Sequence, residues 1–507
     1  MAVMSLITDF LGSKASRIPA TIALLLILYR TWIFVYRILF HPLRQYPGPW
    51  IYAASGLPHL YHVSTGSIHH MQMRLHERYG PIVRVGPERL SYIDSKAWKD
   101  IQGHRAGGHG SFEKDPSLMT KQVHSDIIRA DNPTHSRQRR IFSHAFSDKA
   151  LKEQESLIRG YVDLLVSKMR EKSGLDGHAH TNPSTIDMVR MYNFTTFDIM
   201  ADLTFGEPLG MLRDGDYVPW VSNIFGSVKY MVLGSFLGVY PFFGRIAAAF
   251  IPNSLLEKKK KHDQFAIERV DRRLQYDMDR GDIWSLVQRS ADLDNISRGE
   301  MYANAQVFMI AGTETTATLL SGLTYLLCQN PDKMKKLVEE IRSLGCQQEL
   351  SITNLQRLPY LNACLEEGLR LYPPAPVVAP RVAPPGGATV CGRFVPEGTS
   401  VGVAQYAAYR STYNFADPSE FVPERWLSNP PERYASDKRE VLQPFSYGPR
   451  NCLGKNLAYH ELRLILSSLL WTFDVSLEQC TSDWLDQKTY GIWEKQPLYV
   501  KPRLCEE

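Results

Sequence analysis

One cysteine constrains this chain more than any other residue. Cys452 sits in the turn-rich segment Phe445-Ser446-Tyr447-Gly448-Pro449-Arg450-Asn451-Cys452-Leu453-Gly454, and a helix-like run follows directly, over Lys455 to Leu470. Gly448 and Gly454 let the backbone fold tightly and approach a flat ligand closely. Pro449 stiffens the turn and removes one donor. Backbone N–H groups near the helix start can point at the sulfur and stabilise a thiolate. Arg450 adds a cation that can pair with the anionic edge of a cofactor. A cysteine thiolate is one of the few axial ligands that hold heme iron. A lone cysteine in a Gly-Pro loop is more commonly a structural one, so the rest of the chain must decide.

Composition narrows the classes. A chain of 507 residues with 44% hydrophobic content can hold two or three domains or one large catalytic unit. A formal net charge of +5 gives no reason to propose a nucleic-acid partner. The seven cysteines are scattered, odd in number and without Cys-x-x-Cys spacing. That argues against a disulfide framework or a zinc site and for a reducing compartment. No phosphate-binding loop or dinucleotide fingerprint is present, so nicotinamide-derived electrons would come through another polypeptide.

Ile18 to Phe40 is the most apolar long window. At ~1.5 Å per residue it is long enough to cross a bilayer. Arg30 is costly at mid-span. Either the span ends near Tyr29 and starts towards Leu11, or the segment lies partly in the interface with its arginines snorkelling and Trp32 and Tyr36 at headgroup level. A retained anchor is favoured over a cleaved signal, because arginines and prolines follow in place of a small-residue cleavage site. Flanking charge leaves orientation open. The prolines of His41-Pro42-Leu43-Arg44-Gln45-Tyr46-Pro47-Gly48-Pro49 favour a stiff, extended connector. Asn193-Phe194-Thr195 and Asn295-Ile296-Ser297 are glycosylation sequons, usable only in a luminal body.

In the body, Ile68 to Tyr79 has helical spacing. Ile82-Val83-Arg84-Val85 and Leu90-Ser91-Tyr92-Ile93 read as strands around a Gly86-Pro87 turn. Gly103 to Thr120 reads as a long loop. Asn132-Pro133 opens a helix that places His135 and Arg139 on one face. Leu151 to Lys172 and Met188 to Phe205 are helical. Asp216 to Pro252 is aromatic and glycine-broken, and its apolar surface suggests an apolar substrate or membrane contact. Lys258 to Lys261 reads as a solvated helix face. Ser297-x-x-Glu300 is a capping box for a long helix running to Asn330 before Pro331. Inside it lies Ala311-Gly312-Thr313-Glu314-Thr315-Thr316, where Gly312 admits a flat ligand and threonine hydroxyls can open a groove in the helix. An acid beside an alcohol there can relay protons; the plain alternative is a kinked core helix. Leu355 to Tyr372 is helical and pairs Glu367 with Arg370 at i,i+3. Val390 to Gly398 reads as a hairpin, and Pro497-Leu498-Tyr499-Val500 as strand.

Phe445, Gly448, Arg450, Cys452 and Gly454 occupy every defined position of Phe-x-x-Gly-x-Arg-x-Cys-x-Gly, and the segment resembles the heme-binding loop of the cytochrome P-450 family. Ala311 to Thr316 is similar to that family's Ala-Gly-x-(Asp/Glu)-Thr-(Thr/Ser) pattern. Glu367 and Arg370 resemble its Glu-x-x-Arg motif, and Pro423-Glu424-Arg425-Trp426 supplies a later arginine. The segment from His41 to Pro49 is similar to the proline-rich hinge of microsomal members. The resemblance implies a mainly α fold with a smaller β region, divided into an N-terminal membrane anchor over 1–40, a hinge over 41–50 and one heme-thiolate domain over 51–507. It implies heme b with Cys452 as axial ligand to iron, and propionates met by His135, Arg139 and Arg381. His135 stands where the family commonly has tryptophan, and it still has a donor to offer. Thr315 and Glu314 would be the proton-relaying pair, with Ala311 and Phe308 facing the pocket. Glu367, Arg370 and Arg425 would form a buried structural network. The expected reaction is mono-oxygenation of an apolar small molecule, with electrons from NADPH through NADPH–cytochrome P-450 reductase, on the cytosolic face of the endoplasmic reticulum membrane. Phe142 to Leu151 is similar to fungal members that decorate secondary metabolites, which points to a polyketide, terpenoid or alkaloid. A heme-thiolate isomerase or dehydratase needs no external electrons, and the intact Glu314–Thr315 pair counts against it. A heme sensor or carrier would need neither that pair nor the apolar stretch from Asp216 to Pro252.

Overall fold

A computed structural model describes residues 14–105, 111–115, 123–174, 184–223, 234, 253–275, 280–289, 296–478 and 483–505. Most of the aromatic stretch from 216 to 252, parts of the loop from 103 to 120 and the sequon at Asn295 therefore lie outside the described residues. The principal helices are α1 (Lys14–Leu39), α2 (Ile68–Tyr79), α3 (Lys96–Gln102), α4 (Asn132–Ser143), α5 (Asp148–Ser173), α6 (Met188–Phe205), α7 (Asn253–Gln275), α8 (Ile283–Gln288), α9 (Arg298–Gln329), α10 (Pro331–Arg342), α11 (Pro359–Leu371) and α12 (Lys455–Thr472). The fold is mainly α with a smaller β part, as the sequence implies.

Local chemistry sets the helix ends. Asp131 caps α4 by accepting from Thr134 N at 2.9 Å, and Pro133 sits in the first turn, where its missing N–H costs nothing. The Ser297–Glu300 box closes both ways, Ser297 N donating to Glu300 Oε2 at 2.9 Å and Glu300 N to Ser297 Oγ at 3.2 Å. Pro331 does more than stop α9: it is the first residue of α10. Pro359 likewise fixes the start of α11, later than the Leu355 the periodicity suggests.

The strands are β1 (Ile82–Gly86), β2 (Arg89–Tyr92), β3 (Glu113–Lys114), β4 (Ile186–Asp187), β5 (Arg381–Val382), β6 (Ala388–Val390), β7 (Arg393–Val395), β8 (Ser400–Val403), β9 (Phe473–Leu477) and β10 (Tyr499–Leu504). They form a five-stranded sheet in the order β1-β2-β8-β5-β3, a three-stranded sheet β4-β10-β9 and the hairpin β6-β7. The hairpin turns at Cys391 and Gly392, with φ of 48° and 74°, the left-handed pair that a two-residue turn requires. β3 departs from the plain loop expected over 103–120. It pairs Lys114 with Arg381 of β5, which brings two basic residues together.

α9 is the axis of the fold. Its second half, from Thr316 to Leu327, is buried on every side, the mark of a helix inside a large core. A methyl group on Gly322 would lie 2.2 Å from the Tyr372 ring, so that glycine lets the end of α11 approach closely.

α1 is one helix straight through Arg30. Its window Ala20–Leu39 has a mean hydropathy of 1.8 and none of it is buried, which fits a single-pass anchor. The far end of α1 docks on the body. Arg37 Nη1 donates to Ala54 O at 3.1 Å, Arg84 Nη1 donates to Arg37 O at 2.9 Å, and Phe34 meets Trp50 edge-on at 6.1 Å. The proline-rich segment is not the extended connector its prolines suggest. Pro42–Gln45 makes a 3-10 turn with Leu43 buried, Tyr46 is also buried, and Arg84 N donates to Pro47 O at 2.7 Å. On α7, Lys259, Lys260 and Lys261 are exposed as expected. Asn193 is buried within α6 and donates to Tyr217 Oη at 2.8 Å, so its sequon is closed to glycosylation on either side of a membrane.

Candidate functional site

The Cys452 loop is tied down before any ligand is considered. Ser446 and Gly448 take φ of 62° and 74°, and Gly448–Arg450 makes a 3-10 turn. A methyl group on Gly448 would lie 1.9 Å from Gln102 O at the end of α3. Gly448 is thus required by its backbone and by α3, whereas a methyl group on Gly454 would meet only Phe146, at 3.9 Å. Cys452 N donates to Phe445 O at 2.8 Å and closes the loop. The Phe445 ring packs 5.1 Å from Tyr459 of α12. The thiol is accessible, yet deep burial among the surrounding elements pushes its pKa up. The two hold together when the sulfur lines an internal hollow. The Gly454 N–H, Arg139 and Lys455 act in the other direction and favour the thiolate, so the sulfur has the donors an anionic ligand needs.

Beside the loop, five basic groups converge. Lys114 comes from β3, His135 and Arg139 from α4, Arg381 from β5 and Arg450 from the loop. Burial first, then Arg381 and Arg450, pushes Lys114 down to about 7. Burial first, then Arg450, Arg139, Lys114 and Arg381, pushes His135 down to about 4, so it is neutral near neutral pH and offers one N–H. Burial and Arg450 lower Arg381 to about 10. Arg450 donates to Asn132 Oδ1 at 2.8 Å and Ala130 O at 2.8 Å, while its Nη1 is buried without a partner among the described residues. Arg139 is turned to the loop itself, bonding Asn451 O and Asn451 Oδ1, the latter at 2.6 Å. Among the described residues no carboxylate pairs with any of the five. Clustered, partly buried cations are unfavourable by themselves, and a ligand carrying two carboxylates fits the donor set. The residues present therefore fit heme, with the sulfur for its iron and the cations for its propionates.

α9 supplies another wall, with departures from the sequence expectation. Thr315 Oγ1 donates to Ala311 O at 2.7 Å; Ala311 is exposed and Thr315 half-buried on one helix face. Glu314 does not meet Thr315. Successive helical residues point about 100° apart, and the Glu314 carboxylate is buried against Lys495 and Thr318. A methyl group on Gly312 would lie 2.8 Å from Met200 Sδ, so its missing side chain admits α6. Phe308 is buried edge-on against Phe142 at 4.9 Å and Phe146 at 5.6 Å.

Behind the loop, Glu367 is fully buried and accepts from Arg370 Nη2 at 2.7 Å and Nε at 2.9 Å, Val422 N at 2.8 Å, Trp426 Nε1 at 2.8 Å and Arg425 Nε at 3.2 Å. Arg370 also donates to Tyr409 O and Glu420 O, both at 2.8 Å, and Arg425 pairs with Asp437. These partners hold Glu367 below its ordinary pKa against the burial that would raise it.

Three groups escaped the sequence reading. Lys114 has no motif, and its only sequence signal is a lone lysine in a short alternating stretch. Lys495 reaches Glu314 across 181 positions. Glu461 lies on α12, is 1% exposed and is raised to about 8 by burial; its i+9 spacing from Cys452 carried no signal alone.

The family model for cytochrome P-450 matches residues 46–501. The chain is 48% identical over 477 residues to the cytochrome P-450 monooxygenase efuB of Hormonema carpetanum, covering 92% of each chain. It is 44% identical to the cytochrome P-450 monooxygenase astJ of Aspergillus oryzae, over 93% of this chain and 94% of that one. It is 42% identical to the cytochrome P-450 monooxygenase astA of Talaromyces wortmannii, over 95% and 96%. An open cysteine in a braced loop, cations gathered beside it and a match along nearly the whole length agree: the chain belongs to the cytochrome P-450 family and is a monooxygenase.

Proposed function

We propose that this enzyme inserts one atom of dioxygen into an apolar small molecule of fungal secondary metabolism, using electrons from NADPH delivered by a separate reductase. The observation that carries the reading is the accessible Cys452 sulfur, with the Gly454 N–H and Arg139 favouring its thiolate. When bound, heme b supplies dioxygen activation at an iron whose thiolate ligand favours O–O cleavage. Cys452 holds the iron. Lys114, His135, Arg381 and Arg450 would hold the propionates, while Arg139 braces Asn451 and could share a donor with them. Thr315 holds a hydroxyl proton at the open face of α9. Glu367, Arg370 and Arg425 keep the loop's support rigid and touch no substrate.

An apolar substrate is supported by a cavity of about 260 Å³ lined by Val63, Ile68, Leu90, Val377, Val403 and Tyr490, and reaching Pro380 beside Arg381. Such a lining binds by apolar burial, while His59, Gln72, Arg89, Ser91 and Thr489 supply polar groups that can orient the guest. α1 serves as the anchor on the endoplasmic reticulum, residues 41–50 form the folded link, and the heme domain from 51 onward faces the cytosol. The test is NADPH consumption by the holoenzyme with reductase, compared with Thr315→Ala. The variant is expected to keep heme, release more peroxide and form less product per NADPH. Full coupling would remove Thr315 from proton delivery, and turnover without NADPH would favour an isomerase.

A further inference from the structure

The apolar cavity holds a charge that its walls do not explain. Among the described residues that line it, Arg89 is the one cation and no carboxylate is present. Arg89 opens β2, and its side chain is 20% exposed. His59, from the short helix Leu57–Ser64, lies against it, with Arg89 Nη1 2.6 Å from His59 Nε2. A guanidinium only donates, so Nε2 accepts and the imidazole carries its proton on Nδ1. Burial first and Arg89 second push the His59 pKa well below its ordinary value, so the ring adds no charge. Asp115 is not part of the lining; it approaches Arg89 Nη2 at 3.9 Å and accepts from Ser400 Oγ at 2.9 Å. Two other polar groups of the cavity are committed elsewhere. Ser91 Oγ bonds His76 Nε2 at 2.8 Å, and Thr489 Oγ1 donates to Ile492 O at 3.1 Å.

Sheet register separates this cation from those beside Cys452. Arg89 of β2 and Val382 of β5 both pair with Ser400 of β8, whereas Arg381 pairs with Val401 on one side and Lys114 on the other. Paired residues share a face and successive residues alternate. Arg89 therefore leaves the sheet on the face opposite Arg381 and Lys114, and it is not one of the groups gathered for the propionates.

We propose that Arg89, with its guanidinium steadied by His59, is a specificity-determining residue that binds a carboxylate of the substrate, so that the substrate class is an apolar skeleton bearing one acid group. This rests on the monooxygenase reading above. A guanidinium pairs with a carboxylate through charge-assisted, often paired hydrogen bonds that a neutral ester cannot match. Apolar walls around it strengthen the attraction. One cation beside a neutral imidazole suits a monoanion; a phosphate would bring more charge than the lining balances. With the acid held at Arg89, Val377, Val378 and Val403 take up the apolar remainder. Distance from the acid then sets which carbon is presented for oxidation.

The experiment measures binding to holoenzyme of the parent, Arg89→Gln and Arg89→Lys by equilibrium dialysis near neutral pH, with the Soret shift recorded alongside. The probes are matched pairs: dodecanoate with methyl dodecanoate, and biphenyl-4-carboxylate with its methyl ester. In the parent each acid is expected to bind about tenfold or more tighter than its ester. Arg89→Gln keeps a donor for His59 and removes the charge, and it should bring acid and ester together while heme content stays the same. Arg89→Lys should keep part of the preference. If Arg89→Gln yields no holoenzyme, Arg89→Met reads the same comparison. Dodecyl phosphate should bind no tighter than dodecanoate; a clear preference for it would assign the cation to a phosphate headgroup and overturn the proposal. A parent that takes up neither acid, or binds acid and ester alike, overturns it too, as does a preference that survives in Arg89→Gln. Faster heme loss from Arg89→Gln with the acid preference unmoved would give Arg89 to the propionates instead. Failure of the monooxygenase reading looks different, because the parent would then lack the red-shifted carbon-monoxide band.

Discussion

Replacing Glu461 by glutamine should change how stability depends on pH. Glu461 is 1% exposed on α12, its carboxyl hydrogen-bonds the Thr316 hydroxyl, and its Oε1 has no partner among the described residues. Burial raises its pKa from 4.5 to about 8. The folded protein therefore keeps this proton over an interval in which the unfolded chain releases it. Its stabilisation is complete below pH 4.5 and is lost as pH rises to about 8. Each pH unit in that interval is worth about 1.4 kcal/mol. Between pH 5 and pH 8 the parent should lose up to about 4 kcal/mol that Glu461→Gln does not lose. Internal relaxation lowers this to roughly 2–4 kcal/mol. Urea unfolding of both holoenzymes at the two pH values measures it, and the difference between them cancels every other titrating group. The variant should gain on the parent as pH rises. Parallel stabilities would mean that Glu461 has the same pKa folded and unfolded, which would refute the assignment of a neutral buried acid.

Glu367→Gln should be among the most damaging single changes. It leaves Arg370 and Arg425, both fully buried, facing an amide, at a cost of about 3–5 kcal/mol, read as a lower urea midpoint and a poorer yield of holoenzyme. Gly448→Ala meets both a φ of 74° and a contact of 1.9 Å with Gln102 O, so heme incorporation should fall sharply while the secondary structure seen by circular dichroism persists. Lys114→Met and Arg381→Met should each speed heme loss to apomyoglobin by ~10-fold or more, since a charged hydrogen bond is worth about 1.5–3 kcal/mol; unchanged loss would show that the cation cluster does not hold propionates.

Local signals were readable in the sequence because they act over a few residues. The Ser297–Glu300 box, the Asn132-Pro133 helix start and the Gly86-Pro87 strand turn all depend on neighbours in the chain. Gly312 shows where such reading stops. A glycine in mid-helix marks a close approach, but only the tertiary arrangement tells that Met200 of α6 is a group that makes it. The Glu314–Thr315 pair looked like one unit in the sequence, whereas helix geometry separates the two and Lys495 claims the acid. Lys114 and Lys495 are single lysines outside any motif, and their importance comes from partners far along the chain, such as Glu314, 181 positions from Lys495. The proline-rich segment likewise read as a stiff, extended connector because its prolines are visible and its docking on Arg84 is not.

The most direct measurement is the reduced, carbon-monoxide-bound difference spectrum of purified enzyme beside Cys452→Ala. The account predicts a strongly red-shifted Soret band in the parent, from heme held by the Cys452 thiolate, and its loss in the variant. An unshifted band in well-folded parent, or a shifted band that survives in Cys452→Ala, would contradict it.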